Sequence, residues 1–259
     1  MESTINTKIK NGYSLDLGKL IEDSFEIYKR SFLISGIGFM LVGIVVAILY
    51  GFLFVFVWGL TDIAHWAVDI QNKQLDTSFI LGNMIFTVGF SAVFTPINAG
   101  FLKLCLLAKR KEQLSLGVIF EYYSSKYIKD LIIGGVLISF SSNAVSILFQ
   151  FVPIPLVGQL FQIAIVVFTI LFIPLVIFGD QNYTNAIQNS IKLVAKNPFY
   201  IILALIIAII GCFLGIIALC IGLFFTIPFY EAMNFAIYDN IVGFEEYDSI
   251  SEIGKVEEY

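Results

Sequence analysis

Near the end of this chain a carboxylate, an amide and a phenol recur down one helical face. Glu231, Asn234 and Tyr238 stand at i, i+3 and i+7 in the stretch GLFFTIPFYEAMNFAIYDN, Gly222 to Asn240. From Phe199 through Tyr230 no residue is charged, so an ionised group here enters a medium that penalises it by roughly 2.5 to 3.5 kcal/mol at the centre of a spanning helix. Such a group is expected to face a bundle interior and to have a partner. Pro228 frees a backbone carbonyl one turn away and extends the polar stripe. Lys103, seven residues past Pro96, stands at comparable depth and is the expected partner. Glu231, Asn234, Tyr238 and Lys103 thus form a candidate polar intramembrane site, able to hold a polar group inside a bilayer. A second reading stays open: Glu231 reaches toward the interface, or is neutral and bonded to a neighbouring helix. Asn98, Asn143, Gln150 and Gln162 lie within or beside apolar runs, where bonds between helices account for them.

The one histidine, His65, lies in TDIAHWAVDIQNKQLDTS. If that loop is helical, Asp62, His65 and Asp69 share a face that could hold a divalent metal. The plainer reading makes Trp66 an interface anchor and the loop a short helix on the membrane surface. A single histidine excludes haem ligation by two histidines and the usual zinc hydrolase sets. No nucleophile elbow, phosphate loop or dinucleotide fingerprint occurs. No catalytic residue, cofactor or enzymatic activity is expected. Cys105, Cys212 and Cys220 lack metal-ligand spacing and read as packing residues.

The elements that must position these groups belong to a bilayer. The chain is 58% hydrophobic and 14% charged, against roughly 25% charged in soluble domains. Phe32 to Thr61 runs thirty residues without a charge, beyond the roughly 20 that cross the hydrocarbon core. Apolar length and punctuation place six spans at 32–59, 79–102, 130–151, 159–178, 199–216 and 218–239, in an all-α membrane domain of residues 1–241. Asn197-Pro198 opens the fifth span, and FVPIPLVGQ separates the third from the fourth. Fourteen of the fifteen Lys and Arg fall on one side of these spans, and only Lys73 falls on the other. Basic residues stay cytoplasmic, so a multi-pass protein of the inner membrane with both termini in the cytoplasm is expected. The net charge of -5 reflects an acidic tail, 242–259, and nucleic acid is not an expected partner.

Each odd span follows a cytoplasmic segment with helical apolar spacing, at 14–31, 115–128 and 184–197, expected to lie in the headgroup plane. Each even span carries an internal proline: Pro96, Pro174, Pro228. Three units are therefore proposed, each an interfacial helix followed by a hairpin with a bent return arm. Gly211 and Gly215 read as packing glycines, serving either this chain or a dimer.

YSLDLGKLIEDSFEIYKRSF before a span, AIQNSIKLVAKNPFYIILAL before a glycine-rich turn, then IGLFFTIPF and AIYDN, together resemble the bacterial proteins grouped around the membrane domain of glycerophosphoryl diester phosphodiesterases. The resemblance implies a six-helix membrane module of mostly unassigned role. In that family the phosphodiesterase activity belongs to a separate soluble domain, and no stretch of these residues has the polar character to be it. Two functions are carried forward. One is handling of a lipid or other amphiphile by transport, sequestration or membrane homeostasis, with membrane lipids as partners and a cavity reaching Glu231. The other is a non-catalytic accessory or assembly subunit with a closed core, bound to a membrane protein partner or to a second copy.

Overall fold

The computed structural model describes residues 2–58, 77–150, 155–218 and 221–244, and every regular element among them is helical. The polar N-terminus forms a helix that the hydropathy pattern did not reveal, α1 (Glu2–Asn11). Glu2 in its first turn and Lys8 and Lys10 in its last suit the helix dipole. Gly12 ends it at a φ of 77°, a left-handed conformation that only glycine takes freely. Ile5 is wholly buried, and the Tyr13 hydroxyl donates to the Leu193 carbonyl at 2.8 Å. That burial pushes the phenol up to about 12.

The second helix, α2 (Leu17–Trp58), has 42 residues, about 63 Å at the α-helical rise. Asp16 caps it, accepting from the Lys19 amide at 3.1 Å. The segment 14–31, expected as a separate helix in the headgroup plane, is instead collinear with the first span. Between Tyr28 and Phe32 no proline or cap interrupts the helix, so it continues. Next come α3 (Thr77–Lys109), a 3₁₀ segment (Leu116–Ser124), and α4 (Ile128–Gln150). The expected α-helix over 115–128 is thus a 3₁₀ turn. Its backbone lies against Gly100 so closely that a Cβ there would sit 2.2 Å from the Ile119 carbonyl oxygen.

The expected fourth span, 159–178, is two pieces, α5 (Pro155–Phe168) and α6 (Phe172–Ile177). Buried Ser190 holds the break, donating to the Phe168 carbonyl at 2.8 Å and accepting from the Leu171 amide at 3.2 Å. Ser190 belongs to α7 (Tyr183–Val194), close to the expected 184–197. Its N-cap, Asn182, accepts from the Asn185 amide. Before it, Asp180 is hydrogen-bonded by Lys126 and Tyr127, which hold its carboxyl below the usual range. Then follow α8 (Pro198–Phe213), with proline at its start as expected, a 3₁₀ turn (Leu214–Ala218), and α9 (Ile221–Ile241).

Five helical stretches are long and apolar enough to cross a membrane among the described residues: Leu17–Leu49, Ile80–Lys109, Ile128–Phe149, Val157–Ile177 and Pro198–Ile216. Large apolar side chains such as Ile44, Phe52, Ile85, Leu148 and Phe213 point outward. In water that surface would be unstable, and in lipid it is matched. The chain is a multi-pass membrane protein. Its sixth expected span corresponds to α9, which is not among the five. Yet α9 is buried without interruption from Glu231 through Tyr238. Phe225 and Phe224 pack onto Gly36 and Gly43 of α2, where any Cβ would collide with their rings.

Hydroxyls attend the proline-bearing helices. The Tyr28 hydroxyl donates to the Phe225 carbonyl at 3.0 Å, three residues before Pro228. Tyr123 donates to the Val93 carbonyl, three residues before Pro96. These carbonyls adjoin the ones the prolines leave without an intrahelical donor, Phe224 and Ala92, and a donor from outside is stabilising where the helix bends. A Tyr28→Phe variant is expected to lose about 1 kcal/mol, read as a lowered thermal midpoint in detergent. An unchanged midpoint would mean that the carbonyl keeps its intrahelical partner.

Candidate functional site

A cavity of about 440 Å³ opens beside Glu231, among α3, α4, α5 and α9. Polar side chains are gathered in its wall, although most of the wall's surface is apolar. From α3 come Thr87, Ser91, Thr95 and Asn98, spaced by four, four and three residues and hence on one face. Gly135, Ser139, Ser142 and Asn143 contribute from α4, and Gln162 from α5. Thr169, Phe172 and Ile173 enter from the break that Ser190 holds. From α9 come Tyr230, Glu231 and Asn234. All three proline-bearing stretches supply wall residues: Thr95 beside Pro96, Ile173 beside Pro174, and Tyr230 two residues past Pro228.

Close contact brings α3 and α4 together. A Cβ on Gly135 would lie 2.2 Å from Thr95 Oγ1, and Ser91 donates to the Gly135 carbonyl at 3.3 Å. The wall hydroxyls mostly bond backward along the helix. Thr87 donates to Asn83 at 2.9 Å, Ser91 to Val88 at 2.8 Å, and Thr95 to Ser91 at 2.7 Å. Ser139 donates across to the Thr87 carbonyl at 3.4 Å. A hydroxyl whose proton is engaged in this way still presents lone pairs.

Glu231 is 8% exposed and Asn234 5%. No hydrogen bond or ion pair reaches the Glu231 carboxylate from any described residue. Asn234 Oδ1 is buried and has no partner. Two expected members stand elsewhere. Lys103 does not meet Glu231: its ammonium pairs with Glu121 of the 3₁₀ segment, which packs over that flank of α3. Tyr238 continues the face of α9 but lies beyond the cavity, in an aromatic cluster with Phe178 and Phe244, both with ring centroids 5.7 Å away. Of the four, then, Glu231 and Asn234 come together at the cavity.

Asn98, Asn143 and Gln162, first read as helix glue, line the same space. The Thr87, Ser91 and Thr95 stripe was missed, although its four-residue spacing is visible in the sequence. Asp62, His65 and Asp69 lie outside the described residues, and no group of three potential metal ligands occurs among the described ones. Gly211 and Gly215 pack within the chain, against Phe229 and against Gly222 with Thr226.

A second hollow adjoins the first. This apolar groove of about 360 Å³ runs between α5 and α8, lined by Ile163 and Val167 on one side and Ile202, Leu205, Ile206 and Ile209 on the other. Gln162, Val166 and Tyr230 are walls of both. A third hollow, about 570 Å³, holds Arg30, Lys109 and Asp239 near the far end of α9. Its charges largely satisfy one another, Arg30 with Glu26 and Lys109 with Asp239. Comparison with family models, with curated proteins and with solved structures finds no match to this chain.

Proposed function

We propose that this protein handles a lipid or another amphiphile, by transport or sequestration, without catalysing a reaction on it. The observation that carries the reading is the pairing of two hollows, a cavity beside Glu231 that gathers polar side chains and an apolar groove sharing three wall residues with it. A head needs polar partners and a chain needs apolar surface, and the shared walls let one molecule meet both. The groove faces outward between α5 and α8, with Ile163, Ile206 and Ile209 exposed, so a chain can enter from the bilayer side. A purely scaffolding subunit is expected to have a closed core, and the cavity favours the amphiphile reading over it.

The same reading takes α9 as a sixth span, sheltered from lipid by its neighbours, and so permitted its carboxylate. With six spans and the cations gathered on one side, both termini belong in the cytoplasm of an inner membrane. The way hydroxyls are shared supports three units. Tyr123 of the second amphipathic segment attends the Pro96 helix of the first hairpin. Ser190 of the third attends the break before Pro174 in the second hairpin. Tyr28 of the first attends the Pro228 helix of the third, closing the ring. A six-helix module of this kind is what the family resemblance implies.

The test is gentle extraction followed by mass spectrometry of what remains bound. An amphiphile is expected near one per chain, reduced about tenfold or more in Ile206→Trp, which fills the groove. Ile44→Trp, on an exposed face of α2 away from the groove, is expected to match the parent. Protein that emerges bare, or equal retention in all three forms, overturns the reading.

A further inference from the structure

The chemistry of the cavity wall narrows the head group. Glu231 brings a carboxylate that no described residue donates to, and Asn234 Oδ1 is a second buried acceptor without a partner. Thr87, Ser91, Thr95 and Ser139 have their protons engaged by backbone carbonyls, so their oxygens face the space as acceptors. No Lys, Arg or His is part of the wall, and Lys103, the cation expected to neutralise Glu231, is held by Glu121. Among the described residues the site therefore offers many acceptors, one carboxyl group and neutral amide and hydroxyl donors, but no cation.

We infer that the cavity selects an amphiphile with an ammonium head, a primary amine carried on a single hydrocarbon chain, and discriminates against anionic heads. The inference rests on the amphiphile reading. An ammonium has three donors and no acceptor, the complement of this wall. Its bond to a carboxylate away from water belongs to the strong, charge-assisted class. A phosphate would find only the neutral amide and hydroxyl donors of residues such as Asn98 and Gln162, with no cation, and would bring its negative charge beside the Glu231 carboxyl, which disfavours it. A neutral alcohol satisfies part of the wall but leaves the carboxylate without a counter-charge. The chain then lies in the groove between α5 and α8, entering past Gln162 and Tyr230, which border both hollows.

The experiment measures binding of dodecylamine, dodecanol and dodecyl phosphate to the purified full chain in a mild detergent, at a pH where the free amine is protonated. Dodecylamine is expected to bind at least about tenfold more tightly than either of the others. Glu231→Gln is expected to erase that preference while leaving dodecanol binding within about twofold. The order of the three probes on the parent protein needs no variant, so it decides the matter even if Glu231→Gln folds poorly. Equal binding of all three, or tighter dodecyl phosphate, overturns the ammonium inference and leaves the amphiphile reading standing. Binding of none of them overturns both. A preference for dodecylamine that persists in folded Glu231→Gln overturns the role given to Glu231.

Discussion

Gly100→Val is expected to destabilise the protein by about 3 kcal/mol or more, with a large fall in the thermal midpoint and new protease sensitivity between residues 110 and 126. A Cβ on Gly100 would meet three backbone atoms of Ile119, its oxygen at 2.2 Å, Cα at 2.5 Å and carbonyl carbon at 2.6 Å. Backbone cannot rotate away as a side chain can, so the whole 3₁₀ segment would have to lift. That segment is tied twice just past Ile119, by Lys103 to Glu121 and by Tyr123 to the Val93 carbonyl. Gly89 in the same helix supplies the contrast, since nothing lies within 4 Å of a Cβ there. Gly89→Ala is expected to be neutral or stabilising by up to about 1 kcal/mol. If both variants melt together, the close approach at Gly100 is not what seats the segment.

The second large effect is expected at Ser190. Removing its hydroxyl in Ser190→Ala leaves the Leu171 amide and the Phe168 carbonyl without their partner. Unsatisfied buried groups lose about 1 to 3 kcal/mol each, so a total of about 2 to 6 kcal/mol is expected. Thermal unfolding reads the total, and hydrogen exchange at the Leu171 amide reads the site. Because the break positions Thr169, Phe172 and Ile173 in the cavity wall, Ser190→Ala is also expected to weaken amphiphile retention. A variant with parental stability and an equally protected Leu171 amide would show that the break holds itself.

Tyr28, Tyr123 and Ser190 bear on how a proline is accommodated in an apolar helix. In lipid no water is at hand for irregular backbone, and these hydroxyls serve the Phe225, Val93 and Phe168 carbonyls, which lie near but are not the Phe224, Ala92 and Ile170 carbonyls that the prolines free. Here each donor comes from a segment more than fifteen residues away in sequence, as Tyr28 and Phe225 illustrate across 197 positions. The helices that carry Pro96, Pro174 and Pro228 meet around the cavity, which is where a departure from regular helix does least harm and gives most room.

The sequence by itself determined the solvent and the stations of the helices. Charge-free runs longer than the bilayer core identify spanning helices, and Pro198 marks a helix start where the fold has it. These are local properties, set by hydropathy and capping within a few residues. The prominence of Glu231 and Asn234 was legible for the same reason, as polar groups within an apolar run. Tertiary contacts alone set the 3₁₀ winding of Leu116–Ser124, the break before Phe172, and the partner of Lys103. Each depends on a contact between distant residues: Gly100 with Ile119, Ser190 with Phe168, Lys103 with Glu121. Hydropathy is a sum over neighbours in the chain, whereas a cavity is what remains when helices from different parts of the chain meet imperfectly, and no periodicity records that space.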